Sequence, residues 1–284
     1  MFYNEIKTVL LMGALSGILL MLGNLIGGHE GMIAAFIMAL LINGIAYFFS
    51  DKIVLSLYKA KPLSSEQHKE IYASTGQLAA TMQIPMPKLY LIDNKMANAF
   101  ATGRNPGNAC VALTTGILEL LNKEELRAVL AHELSHIKNR DILISTIAAT
   151  LATAIGYMAR FAPYSSNRGK RQNNNFLVTL IIALFIPLAA MLIQLAISRS
   201  REYLADETGA QSCRDPLALA SALEKLHNHI PYASMNSNDI HKASTAPLFI
   251  MHPFAGNSWT SLFATHPSIG SRVARLQMMY KKMF

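Results

Sequence analysis

Four apolar runs divide this chain, and the polar stretches between them carry ordinary helix and strand patterns. After a short head, Thr8 to Gly28 is uncharged and long enough to cross a bilayer. Gly28-His29-Glu30-Gly31 leads at once into a second run, Met32 to Phe49, so the spacing predicts a helical hairpin and not a cleaved leader. Ile142 to Met158 is the third run and the weakest for length, and Phe176 to Ile197 is a strong fourth, kinked by Pro187.

Between the second and third runs the pattern is mixed. Ser64 and Ser65 open a helical stretch to about Met82, which Pro85 and Pro87 end. Lys88 to Ile92 has strand character. Asn98 to Gly103 and Ala109 to Thr114 are short extended runs on either side of turn residues Arg104 to Asn108, which predicts a β-hairpin. Asn122, with Glu125 three residues on, caps a helix through Leu126, Val129 and Leu130. Beyond the fourth run, Asp215-Pro216 opens a helix to about Asn228, Tyr232 to Gly256 is a long polar loop, and Ser268 starts a last helix ending in Lys281 and Lys282.

The expected fold class is therefore α+β: a helical membrane protein with four apolar segments and a soluble domain built from two separated stretches. Its parts are a hairpin at 1–50, a soluble stretch at 51–141, a second hairpin at 142–197 and a second soluble stretch at 198–284.

Composition agrees with this division. The chain is 52% hydrophobic and 15% charged, too apolar for a soluble enzyme and too charged for a bare bundle of spans. The net charge of +8 is scattered in singles and short pairs, so it does not mark a nucleic-acid partner; beside apolar segments it fits topology and anionic lipid, which makes the lipid bilayer the expected partner. Lys7 precedes the first run and Lys52, Lys59 and Lys61 follow the second, while the link between the runs has no Lys or Arg. Both ends of the first hairpin are thus expected in the cytoplasm. The loop of the second hairpin carries Arg160, Arg168, Lys170 and Arg171, so full crossing and partial burial in the interface both stay open. Either way its two ends face one compartment. Cys110 and Cys213 form no metal or redox spacing and read as reduced thiols. Nothing in the pattern speaks to oligomeric state.

The candidate chemistry begins in Ala131-His132-Glu133-Leu134-Ser135-His136. On a helix, positions i and i+4 share a face, so His132 and His136 can aim at one point with Glu133 beside it. This H-E-x-x-H arrangement suits two zinc ligands and a general base. A catalytic zinc needs a third protein donor. Glu202 is the best candidate, with Asp206 one turn on, placed to accept the free N–H of a ligating histidine. The competing reading is a solvated helix face, with both acids paired to Arg199 and Arg201. Depth favours the metal: His136 precedes the third segment and Glu202 follows the fourth by a few residues each, so both lie ~7 to 10 Å from the same membrane face.

These stretches resemble the HtpX-type membrane zinc metalloproteases, relatives of the CAAX prenyl endopeptidases. The matching pieces are AHELSHIKNRD at 131–141, SRSREYLADETGA at 198–210, NAFATGRNPGNACVALTTGIL at 98–118 and THPS at 265–268, in order and interleaved with the apolar segments. The resemblance implies one catalytic zinc on His132, His136 and Glu202, Glu133 as base, Asp206 behind a ligand, and an active site facing the cytoplasm from the bacterial inner membrane. It further implies that the strand with Asn98, Ala99 and Phe100 holds the substrate backbone and that His266 and Arg272 lie near the oxyanion. Polypeptide substrates, membrane or misfolded proteins, and a part in quality control follow from the same resemblance.

Taken alone those last residues say less. A strand at Asn98 to Gly103 can offer an edge to a peptide or be an ordinary hairpin strand. His266 before Pro267 is by itself a surface or capping residue, and Arg272 a solvated charge or one paired with an acid. His29, His68, His227, His229, His241 and His252 have no partners that complete a site. Two other classes are weighed. A non-catalytic scaffold or chaperone with structural zinc needs a fourth ligand, and none is evident. A transporter needs charge inside the apolar runs, which hold only Asn24, Asn43 and Gln194 as polar marks.

Overall fold

The computed structural model describes residues 2–148, 150, 198–229 and 267–283. The fourth apolar segment, most of the third, the loop at 232–256 and His266 lie outside the described residues.

Helix α1 (Phe2–Leu57) is broken at Gly27 (φ −132°, ψ 16°) and Gly28 (φ 59°, ψ −142°). A side chain is strongly disfavoured in the second of these conformations, which is why the reversal falls on glycine. The two arms fold back on each other. Asn43 Nδ2 donates to Ser16 Oγ at 2.8 Å, and Gly23 lies so near Gly31 that a Cβ on it would collide with the Gly31 carbonyl. The chain thus reverses at Gly28, between the first two apolar runs. The second arm, Gly27–Leu57, is long and apolar enough to cross a membrane.

This arm does not stop at Phe49. It continues through Asp51 and Lys52 to Leu57, and its last turns bury Val54 and Leu55 against Ile92, Phe100, Cys110 and Ala112. The rings of Tyr58 and Phe100 lie 5.7 Å apart.

Those partners belong to a four-stranded sheet of order β1-β2-β4-β3, comprising β1 (Lys61–Pro62), β2 (Lys88–Ile92), β3 (Ala99–Gly103) and β4 (Ala109–Thr114). β3 and β4 form the expected antiparallel hairpin, with Phe100 opposite Ala112. Its connection is tightened by Asn105, whose side chain accepts from the Asn108 N–H, and by Gly103 at φ 136°. β2 runs parallel to β4, and β1 antiparallel to β2. β4 is apolar from Ala109 to Leu113 because both faces are covered: Cys110 and Ala112 face the end of α1, while Val111 and Leu113 join the main core.

The main core lies on the other side of the sheet, among α2 (Lys69–Met82), α4 (Lys123–Lys138), α5 (Arg199–Cys213), α6 (Pro216–Asn228) and α7 (Ile269–Met283). A short α3 (Thr115–Leu120) leads from β4 into α4. Helix α2 starts at Lys69, later than Ser64 and Ser65 suggest, because those residues close a turn in which His68 N–H bonds the Ser64 carbonyl.

α4 is the axis of this core. Its start is a complete capping box: the Asn122 side chain accepts from Glu125 N–H and the Glu125 carboxylate accepts from Asn122 N–H. The buried Glu125 also receives Ser221 Oγ at 2.6 Å and Lys225 Nζ at 2.8 Å, which ties α6 to α4. Burial pushes the Glu125 carboxyl up, but these donors outweigh it and hold it below its ordinary value. Residues from before and after the 151–197 stretch therefore pack into a single core.

Candidate metal centre

α5 crosses α4 at a point where neither helix has a side chain in the way. A Cβ on Gly209 would stand 2.9 Å from the backbone N of His132 and 3.0 Å from its Cα. That approach brings Glu202 and Asp206, earlier on α5, against the histidine face of α4.

Three donors converge there. His132 Nε2 and His136 Nε2 are 3.2 Å apart; Glu202 Oε2 is 3.7 Å from the first and Glu202 Oε1 3.8 Å from the second. Among the described residues they form a group of donors all within 4.8 Å of one another. Two nitrogens at about 2.0 to 2.1 Å from one tetrahedral zinc sit ~3.3 Å apart, so the histidine spacing fits a shared metal. The alternative for two lone pairs at that distance is a proton between them.

The outer nitrogens are also held. His132 Nδ1 lies 3.0 Å from Asp206 Oδ1, and His136 Nδ1 lies 3.3 Å from Asp141 Oδ2. A carboxylate at each Nδ1 keeps the N–H on that atom and turns the Nε2 lone pair inward, the arrangement that ligating histidines use. Two histidines and one glutamate, closely grouped and largely shielded from water, could together hold a metal ion.

Arg272 fills the wall behind Asp206. It is 1% exposed; its Nε and Nη2 bind the two oxygens of Asp206 at 2.7 and 2.6 Å, and its Nη1 is 3.5 Å from Glu202 Oε2. Burial alone would raise the Asp206 carboxyl, yet the Arg272 guanidinium, with His132, holds it well below the usual carboxylate range. Burial likewise disfavours the Arg272 cation, and the charges of Asp206, Glu202 and Glu133 more than restore it.

Glu133, also buried, points from the next position of α4 toward β3, where its carboxylate accepts from the Ala101 N–H. Burial pushes its carboxyl up, against the pull of His132 and His136. For His136, burial lowers the pKa, but the Asp141 bond and the charges of Glu202 and Glu133 lift it to about 9.

The structure thus brings together His132, Glu133, His136, Glu202, Asp206 and Arg272. Ala99 begins β3, an edge strand of the described sheet, with Asn98 just before it; of this strand Ala101 is tied to the centre through Glu133. The Phe100 side chain does not face the centre; it is buried against the end of α1, so only its backbone is available on the strand. Sequence reasoning missed Asp141 and Gly209. The signal for Asp141 was an acid just past the end of a histidine helix, and for Gly209 a glycine inside an otherwise helical stretch.

The sequence profile of peptidase family M48 matches residues 65–280. The chain belongs to peptidase family M48. It is 48% identical to a protease HtpX homolog of Persephonella marina over 99% of both chains. A second protease HtpX homolog, from Syntrophobacter fumaroxidans, is 46% identical over 97% of this chain and 99% of its own. A third, from Methylibium petroleiphilum, is 46% identical over 98% of each. The crystal structure of S. mikatae Ste24p superposes with a TM-score of 0.54 at 19% identity, covering 97% of this chain and 66% of that one, a likeness of fold. This M48 member is a membrane metalloprotease, and its substrates are polypeptides.

Proposed function

We propose that the chain is a zinc-dependent endopeptidase of the bacterial inner membrane that cleaves membrane or misfolded proteins on their cytoplasmic side, as part of protein quality control. The observation that carries this reading is the convergence of His132, His136 and Glu202 from the two soluble stretches, with Glu133 between them and β3. Zinc, when bound, would act as a Lewis acid on the scissile carbonyl and make water a nucleophile near neutral pH.

The rest of the work falls to the chain. His132, His136 and Glu202 hold the ion, and Asp206 fixes the His132 ring. The edge of β3 around Asn98, Ala99 and Phe100 takes the substrate as an added strand. Glu133 is anchored to that same strand through Ala101 N–H, so base and substrate share one support. Its raised pKa suits a group that takes a proton from water and passes it to the leaving amine. Arg272 spends Nε and Nη2 on Asp206, so it supplies a fixed positive charge to the developing oxyanion while direct donation falls to His266.

The cytoplasmic orientation is supported by the lysines that flank the first hairpin, and the two-part protease domain by the contact of α4 with α5. The test is Glu133→Gln in the purified, zinc-loaded full chain. Peptide hydrolysis should be lost and zinc retained; undiminished cleavage refutes the assignment of the base.

A further inference from the structure

We propose that Asp141 is a positioning residue of the metal centre, gripping His136 by both its backbone and its ring at the joint where α4 gives way to the third apolar segment. The inference rests on His136 being a metal ligand.

α4 ends at Lys138 with Asn139 as its C-cap, and Arg140 then turns into the left-handed region at φ 57°. That conformation is unusual for a residue with a side chain, and here it swings the next residue back over the last turn. Asp141 N–H donates to the His136 carbonyl at 2.9 Å, and the Asp141 carboxylate reaches His136 Nδ1 at 3.3 Å. The carboxylate is shielded, with Asp141 2% exposed. Asp141 also begins the next element: its carbonyl accepts from Ser145 N–H, and 142–148 are helical.

The two ligand histidines are therefore supported differently. The acid behind His132 comes from α5 and is pinned by Arg272, an arrangement of tertiary packing. The acid behind His136 comes from five residues along the same chain and is pinned by a turn. The ring direction of His136 is set where the metal helix meets the third apolar segment. A bare helix cap would need only the backbone N–H. The side-chain contact adds tautomer and ring orientation, as outer carboxylates at zinc histidines do.

The test compares the full chain in detergent with Asp141→Asn, Asp141→Ala and Asp141→Glu. Zinc affinity is read by competition with a chromogenic chelator, and melting is followed in the metal-free state. Asn keeps the backbone bond but not the carboxylate that lifts the His136 pKa, so above pH 9, where that charge contribution is gone, Asp141→Asn should melt as the wild type does without metal, yet bind zinc about 10-fold more weakly; Ala should lose up to ~100-fold, and Glu should recover part of the loss. Zinc affinity within about twofold of wild type in Asp141→Asn and Asp141→Ala, with only metal-free melting lowered, would make Asp141 a helix cap and overturn the proposal. Failure of the wild-type chain to bind zinc, or equal binding by His136→Ala, would overturn the metal reading as well and is separable on that basis.

Discussion

The Cα of Gly209 stands against the backbone of His132, with room for a hydrogen and not for a methyl group. Because the neighbour is backbone of a buried helix, it cannot swing aside as a flexible side chain would. Gly209→Ala should push α5 off α4, cost about 1 to 3 kcal/mol in unfolding free energy, and move Glu202 out of ligand range. Chemical denaturation and zinc stoichiometry together check this. Wild-type zinc binding in Gly209→Ala would show that the crossing does not set the ligand distance.

Asp206 and Arg272 are a buried ion pair, so removing one partner strands the other. Asp206→Asn should destabilise the fold by roughly 3 to 5 kcal/mol through the uncompensated guanidinium. The double variant Asp206→Asn with Arg272→Met should regain much of that stability while peptide hydrolysis stays low, because the His132 ring has lost its acid and the site its positive charge. Equal stability of the single and double variants would argue against the pair as the source.

Zinc binding should depend on pH through His136. With its pKa lifted to about 9, the metal-free ring carries a proton at pH 7 that an incoming ion must displace. Apparent affinity should then climb by about tenfold per pH unit between 7 and 9 and level off above. In the metal-free chain the sign is opposite. The raised folded pKa gives stability that is full below ~6.5 and lost as pH rises through 9, so metal-free melting should fall over that window. Calorimetric titration in buffers of different ionisation enthalpy, and melting with and without zinc, check both directions.

Glu125 joins the start of α4 to α6 through Asn122, Ser221 and Lys225. Glu125→Ala removes half of a capping box and leaves Ser221 without this acceptor, which should cost about 2 to 4 kcal/mol without touching the ligands. The variant should unfold at lower denaturant yet keep zinc affinity and, below its transition, hydrolytic rate.

Much of the site could be read in the sequence because its parts are local. The Asn122 and Glu125 cap marks where α4 begins, helical spacing puts His132 and His136 on one face, and the same spacing pairs Glu202 with Asp206. What could not be read is set by contacts between distant stretches. Arg272 looks like a surface charge on a short basic helix; its burial follows from the acids around it, above all Asp206, which lies 66 residues earlier. Gly209 matters through His132, not through its own helix. Asp51 and Lys52 mark a boundary by charge, yet α1 runs through both, since their neighbours Val54 and Leu55 have the sheet to pack on. β1, two residues long, has no pattern to detect. Phe100 alternates correctly on its strand, but which face of a doubly covered sheet it takes is decided by the end of α1.

That end of α1 also works as a ruler. The arm that begins at the Gly28 reversal runs unbroken to Leu57, and its last turns are clamped to β3 and β4 through Phe100 and Cys110. Exposed Phe48 and Phe49 are separated from Val54 by one and a half turns, about 8 Å of rigid helix. Whatever depth a bilayer imposes on those aromatic rings is passed on to the edge strand without a hinge, so with β3 as the proposed substrate strand the height at which a polypeptide is engaged above the lipid should follow the length of one helix.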